Sequence, residues 1–221
     1  MKITILTLFP AYFDVVLSSS IIGRGLAQKL FQVELIDIRQ FARDRRKTTD
    51  DRPFGGGAGM VMMIEPIDLA LRSIGAQKGN HDRPIYLLSA RGQLFNQSTA
   101  VNLSQKSELI LICGHYGDVD QRVADHLVDG QLRIGDFVLT GGEPAAACLI
   151  DSIGRLIPGV VGNESSLQHE SHASRGQLSP PQYTRPAVYK DWSVPTELMS
   201  GDPKLIQAWQ KNQLLILPEE V

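Results

Sequence analysis

A chain of 221 residues, 43% hydrophobic and 21% charged, has ordinary globular composition and is long enough to bury a real core. Its formal net charge of −2 excludes a general attraction to polyanions, so any nucleic-acid surface has to be local. Two cysteines, Cys113 and Cys148, are too few for a disulfide framework or a thiolate metal site and are expected to be buried; no apolar run is long enough to span a bilayer, and the N-terminus opens on a strand without a leader pattern, which points to the cytoplasm.

Lys2 to Leu8 is a β-branched and leucine-rich run closed by Phe9-Pro10, the pattern of a buried first strand. Phe13, Val16, Leu17, Ile21, Leu26 and Leu30 follow at helical intervals, with a break expected at Gly23 and Gly25. Val33 to Ile38 alternates as a second strand. Pro66 at a helix start, with Ile67, Leu71 and Ile74, predicts a helix closing near Gly75. Ile85 to Leu88 is the next strand, and Asn96 is suited to cap a helix through Leu103. Glu108 to Cys113 is a continuous apolar run of the kind buried on both faces of a parallel sheet. A helix over about Val119 to Leu127, the run Gln131 to Ile134 and an apolar helix from Ala145 to Leu156 complete the pattern. This alternation predicts an α/β domain with a largely parallel sheet and helices on both faces, and ligands of such sheets bind beyond the carboxyl ends of strands. From Pro158 to Pro195 apolar periodicity fades and five prolines appear, as in a long linker or lid, while Pro203 to Leu217 suits a short amphipathic helix in a small appendage. The expected division is an α/β domain at 1–160, a linker at 161–185 and a small, shortened helical domain at 186–221.

Three glycine-bearing turns invite a chemical explanation, because glycine after a strand lets backbone approach a ligand closely. Arg52 to Met60 holds Gly55, Gly56, Gly57 and Gly59, and just before it Arg39, Arg43, Arg45, Arg46 and Lys47 are interspersed with Asp44, Asp50 and Asp51. Backbone N–H groups there suit phosphate or an extruded base, and the basic side chains suit a nucleic-acid backbone; a flexible mixed-charge loop is the competing reading. No Walker A or GxGxxG fingerprint is present. Cys113-Gly114-His115-Tyr116-Gly117-Asp118 and Ile134 to Glu143 both follow apolar strands, where main-chain groups can read the edge of a planar heterocycle. Ordinary strand-to-helix turns remain the alternative for either one alone.

Leu8-Phe9-Pro10, Asp50 to Gly57 with Gly59-Met60 and Met62-Met63, Ile134 to Glu143, and Tyr183-Thr184-Arg185-Pro186 occur in an order that resembles the bacterial tRNA (guanine-N1)-methyltransferases acting on guanine 37, of the knotted SPOUT class. The similarity runs from residue 1 to about residue 211. It implies a C-terminal trefoil knot in the α/β domain, an exception to the general absence of knots, with S-adenosylmethionine held bent in the knotted loops. Carried over by position, the cofactor residues are Ser89, Gly114, Ile134, Gly135, Asp136, Phe137, Val138, Leu139, Gly141 and Gly142. The tRNA-binding residues are Arg46, Asp51, Arg52, Gly56, Gly57 and Gly59. A homodimer with its active site at the interface is implied, together with tRNA bearing guanine 37 and Mg2+ as an accessory ion.

Guanine N1 carries a proton at neutral pH, so methyl transfer to it requires a base. The family's linker aspartate corresponds to Glu170 here, within His169-Glu170-Ser171-His172, and the family's catalytic arginine corresponds to Arg155, suited to stabilise charge developing on guanine O6. For Arg155 the plainer reading is a helix-end arginine near the carbonyl dipole. His169 and His172 resemble a metal pair, but no further ligand is evident and no protein metal site is expected; His81, His115 and His126 are expected at the surface or behind the site. Two departures from the family pattern stand out. Tyr116 is followed by Gly117-Asp118 where a glutamate is usual, and the C-terminal region carries only Lys204 and Lys211 where more arginines are usual, reducing phosphate contacts. They leave open a non-catalytic or weakly active S-adenosylmethionine-binding paralogue of the same fold, and, further off, an enzyme modifying another RNA position.

Overall fold

The apolar runs pair side by side, and the computed structural model, which describes residues 1–163, 167, 170–174 and 176–217, shows the sheet they make. The chain divides into two units, Met1–Gly162 and Asn163–Val221. The first contains β1 (Lys2–Thr7), α1 (Asp14–Ser18), α2 (Ser20–Ala27), β2 (Gln32–Asp37), β3 (Asp50–Asp51), β4 (Val61–Met62), α3 (Ile64–Ser73), β5 (Ile85–Leu94), α4 (Gln97–Ser104), β6 (Glu108–Cys113), β7 (Asp118–Val119), β8 (Gly130–Arg133) and α5 (Glu143–Gly154). Five strands form the main sheet in the order β2-β1-β6-β5-β8, and every neighbouring pair is parallel.

Residues Leu109 to Cys113 of the central β6 are all 0% exposed, because their alternate side chains enter two separate cores. Leu109, Leu111 and Cys113 join Ile22 of α2, Leu103 of α4 and Leu149, Ile150 and Ile153 of α5. Ile110 and Ile112 join Ile67, Ala70 and Leu71 of α3. Helices therefore cover both faces, and the uninterrupted apolar sequence of β6 is what a strand with no polar face requires. The expected cap of α4 is present, with Asn96 Oδ1 accepting from Thr99 N at 3.0 Å.

Several expected boundaries move. The first helical segment breaks at Ser19, which is extended (φ −101°, ψ 152°), rather than at Gly23 or Gly25. Those glycines serve packing: a Cβ on Gly25 would lie 3.0 Å from the Phe31 ring, and one on Gly23 2.5 Å from the Ser18 backbone. Helix α3 starts at Ile64, ahead of Pro66, which its first turn accommodates because early N–H groups have no intrahelical partner. Strand β5 runs on to Leu94, since Gln93 and Leu94 pair with Leu132 and Arg133 of β8 after a register shift. The stretch expected as a helix from Val119 instead opens with β7, paired to β4, and winds into a π-turn at Val123–Leu127. Cys148 is exposed while Cys113 is buried; α5 turns Ala145, Ala146, Leu149, Ile150 and Ile153 inward, which leaves position 148 on the outer side.

The second unit carries β9 (Gln177–Leu178), β10 (Val188–Tyr189), β11 (Trp192–Ser193), α6 (Thr196–Met199), α7 (Pro203–Asn212) and β12 (Leu215–Ile216). Asp202 caps α7 by accepting from Lys204 N at 2.8 Å. The helix ends earlier than expected because Leu215 and Ile216 pair antiparallel with Leu178 and Gln177. Small two-stranded ladders thus accompany the expected helices. No described helix is long and apolar enough to cross a membrane.

At the amino ends of the strands, burial raises the Glu108 carboxyl's affinity for its proton, but its partners outweigh this. Thr4 Oγ1 donates at 2.6 Å, Arg83 Nε donates in an ion pair, and Lys2 Nζ lies at 3.4 Å, so the carboxyl is held below its ordinary range. Such a group stabilises the fold above its unfolded value, and that stabilisation disappears as pH falls through the lowered folded value. Glu108→Gln is expected to cost about 1–3 kcal/mol at neutral pH. In urea titrations the deficit should shrink as the pH is lowered through the carboxylate range.

Candidate functional site

The carboxyl ends of β5, β6 and β8 open on a single cleft of about 190 Å³. Its walls come from residues 88–91 within β5, 114–119 after β6, 132–133 at the end of β8, and 134–135 with 137–142 beyond it. Glycine makes this convergence sterically allowed. A Cβ on Gly142 would lie 2.7 Å from Cys113 Cα, and one on Gly92, within β5, 2.4 Å from Leu132 N, so at both points backbone approaches backbone with no room for a side chain. Gly142 N donates to the Gly114 carbonyl at 2.7 Å, and His115 and Gly141 form an isolated antiparallel bridge.

Of the loop residues expected to hold a cofactor, Ser89, Gly114, Ile134, Gly135, Phe137, Val138, Leu139, Gly141 and Gly142 all line the cleft. Asp136 does not; its carboxylate accepts from Arg133 Nε at 2.8 Å, with a side chain 87% exposed. His115 and Asp118, from the turn after β6 where a ligand is expected, line the cleft as well, and so does Arg91, for which the sequence carries no signal. His115, expected at the surface or behind the site, is part of the wall.

Behind the cleft lies a buried polar relay. Phe9 N donates to Thr7 Oγ1 at 2.9 Å, and Thr7 Oγ1 donates to Glu143 Oε1 at 2.7 Å. Glu143, only 3% exposed, opens α5, where a carboxylate is favoured by the helix dipole. Its other oxygen lies 3.9 Å from His115 Nδ1, a buried nitrogen with no hydrogen-bond partner among the described residues. The His115 ring packs on Phe9 at 4.8 Å and Tyr116 at 5.0 Å between centroids, and His115 N donates to Met62 Sδ at 3.1 Å. Burial, reinforced by the Glu143 carboxylate, pushes the Cys113 thiol well above its usual range, so this cysteine is an inert packing group.

The glycine-rich loop is tied to the same rim. It spans from β3 to β4, which pair antiparallel, while β4 pairs in parallel with β7, and Gly117 N donates to Met60 O at 2.9 Å. Arg46, Asp51, Arg52, Gly56, Gly57 and Gly59 are all exposed. Arg43 is engaged by Glu65 at 2.5 Å, whereas no ion pair within the described residues holds Arg45, Arg46, Lys47 or Arg52. Asp44 braces the approach to this loop by accepting from Thr48 N at 2.7 Å and Thr48 Oγ1 at 2.8 Å, contacts that lower its carboxyl below the ordinary range.

Arg155 follows α5 as its C-cap, with its N–H on the Asp151 carbonyl at 3.1 Å. Glu170 belongs to the second unit, where its carbonyl accepts from Ala173 N at 3.1 Å, and His172 N donates to Gln177 O at 2.6 Å. His169 lies outside the described residues. Among the described residues no group of three His, Cys, Asp or Glu side chains lies together as a metal cage.

Main-chain polar groups beside Leu88, Val119, Leu132, Ile134 and Ala145 suit a planar heterocycle. A parallel α/β sheet with strand-end loops gathered round such a cleft has the arrangement in which open α/β domains bind their ligands. The chain belongs to the family described as tRNA (Guanine-1)-methyltransferase TrmD, whose model matches residues 1–216. It is similar to proteins named tRNA (guanine-N(1)-)-methyltransferase from several bacteria. That from Dehalococcoides mccartyi is 44% identical over 215 residues, covering 97% of this chain and 86% of the relative. That from Geotalea uraniireducens is 46% identical with the same coverage of each chain. The Clostridium perfringens protein is 45% identical over 220 residues, covering 100% of this chain and 91% of the relative.

Gly142→Ala tests the backbone cradle, because φ at Gly142 is −77° and the substitution adds only bulk. Calorimetric titration with S-adenosylmethionine is expected to show a roughly 5- to 150-fold loss of affinity, the equivalent of the 1–3 kcal/mol typical of overpacking. Gly162→Ala, where a Cβ would meet nothing within 4 Å, should leave the affinity unchanged.

Proposed function

We propose that this S-adenosylmethionine-dependent tRNA (guanine-N1)-methyltransferase acts on guanine 37, beside the anticodon. The observation that carries the reading is the family match across residues 1–216, in a chain whose cleft is lined by nearly every loop residue the family pattern marks for the cofactor. Relatives in this family carry the guanine-N1 activity in their names, and the acceptor chemistry fits the residues available.

S-adenosylmethionine, when bound, supplies an electrophilic methyl carbon whose bond to sulfur breaks as the bond to guanine N1 forms, leaving a neutral thioether. The chain's own task is to make N1 a nucleophile. Glu170 takes the N1 proton onto its carboxylate, and Arg155 stabilises the negative charge that deprotonation places on O6. The loops at Ser89, Gly114 and Ile134 to Gly142 hold the cofactor by main-chain contacts, with Asp136 bracing the last of them through Arg133. Arg46, Asp51, Arg52 and the loop glycines Gly56, Gly57 and Gly59 hold the tRNA. A segment at 161–185 works as the lid that carries Glu170, between a knotted cofactor domain at 1–160 and a small C-terminal domain at 186–221. This work takes place in the cytoplasm with tRNA, and Mg2+ would serve as an accessory ion.

A homodimer completes the site. Support comes from apolar side chains left exposed in the first unit, with Tyr12 at 46%, Val15 at 72%, Phe137 at 55% and Val138 at 88%. Such a set suits cover by a second copy, so a monomer should be inactive.

Labelled methyl transfer to unmodified tRNA with guanine 37, and to the same tRNA with adenine there, tests the assignment; only the guanine form is expected to be methylated. Failure with both, with cofactor still bound, would favour the non-catalytic paralogue. Glu170→Gln and Arg155→Ala are each expected to lower kcat by roughly 10²–10⁴, the span typical of a lost acid–base or charge-stabilising group, with cofactor affinity retained. Retained kcat in Glu170→Gln would remove that residue as the base.

A further inference from the structure

Phe54 is the most exposed large apolar side chain among the described residues, at 102% of its reference area. It sits in the loop between Asp51 and Val61, followed at once by Gly55, Gly56 and Gly57 and then by Gly59. All four glycines have positive φ, between 78° and 119°, and a Cβ on any of them would meet nothing within 4 Å. No protein neighbour requires them to be small. What they provide is a left-handed backbone and an open surface that a ligand can approach closely. Arg45, Arg46, Lys47 and Arg52 lie on the loop's approach without ion-pair partners among the described residues, which suits a polyanion. The loop's far end is fixed to the cleft, since Met60 O accepts from Gly117 N and Val61 pairs with Asp118, both cleft residues.

An aromatic ring held in water beside unpaired cations and a cofactor cleft matches the way proteins bind single-stranded nucleic acid, in which rings stack on bases and cations track the phosphates. We infer that Phe54 is a stacking platform for an unpaired nucleobase neighbouring the target guanine, an inference that rests on the tRNA reading above. The ring takes up a base that unstacks from the anticodon loop, while the target enters the cleft, and the contact is made by a π-face.

Steady-state transfer kinetics on the 221-residue chain with Phe54→Ala, Phe54→Leu and Phe54→Trp, together with cofactor titration and light scattering, test this. Phe54→Ala is expected to raise KM for tRNA roughly 5- to 150-fold, the equivalent of one base–aromatic stack at about 1–3 kcal/mol, with a smaller effect on kcat and cofactor affinity kept within about twofold. Phe54→Trp should restore KM and Phe54→Leu should not, because leucine offers bulk without a π-face. An unchanged KM in Phe54→Ala, full rescue by leucine, or loss of the dimer in Phe54→Ala would each overturn the proposal. Native transfer with an unaltered Phe54→Ala variant overturns this inference alone, whereas no transfer or tRNA binding by the native chain overturns the parent reading as well.

Discussion

A main-chain hydrogen bond from Gly142 N to the Gly114 carbonyl, 2.7 Å long, joins the loop after β8 to the loop after β6. Much depends on it. It brings Gly142 so near Cys113 that only hydrogen is tolerated as a side chain, and it sets the point at which α5 begins. From there α5 carries Leu149, Ile150 and Ile153 down onto the face of β6 formed by Leu109, Leu111 and Cys113. One contact between two backbones therefore shapes the cleft and seats the largest helix over the central strand.

The same junction explains why a carboxylate is buried at the first position of α5. Glu143 accepts from Thr7, whose oxygen in turn accepts from Phe9 N, so the end of β1 is tied to the start of α5. The Thr7 hydroxyl and the first turn of α5 give this buried carboxyl polar surroundings. Phe9 then packs on His115, which reaches Met62 through its backbone N–H. The short run Leu8-Phe9-Pro10, far from the cleft in sequence, is in this way part of the wall behind it.

How much of this was legible in the residues depended on how local the cause was. Strand β6 was plain, because five consecutive apolar residues have few other uses, and the Asn96 cap was plain because the interaction closes within a turn. The glycine-bearing turns marked the cleft because each follows an apolar run. The far half of β5 was not visible, since Arg91-Gly92-Gln93-Leu94 has no strand pattern and extends only because β8 offers it partners. Likewise β7 comprises two residues whose conformation is decided by β4, more than fifty positions earlier. Chemistry showed the same divide. The residue types of the glycine-rich loop suggested a nucleic-acid surface, but its place on the rim of the cleft follows from the pairing of β4 with β7. The lining roles of Arg91 and His115 depend on the same long-range geometry.

The strand order has a consequence for how the chain is made. In the sheet β1 lies between β2 and β6, and its six residues are buried at all but the first position, yet its partner on one side does not begin until Glu108. At about 5–20 residues per second, several seconds of synthesis separate the completion of β2 from the arrival of β6. Throughout that interval β1 presents an apolar strand with an open edge, the feature most prone to pair with another chain. Newly made protein is thus exposed to misassociation at the very strand whose end later anchors Glu143.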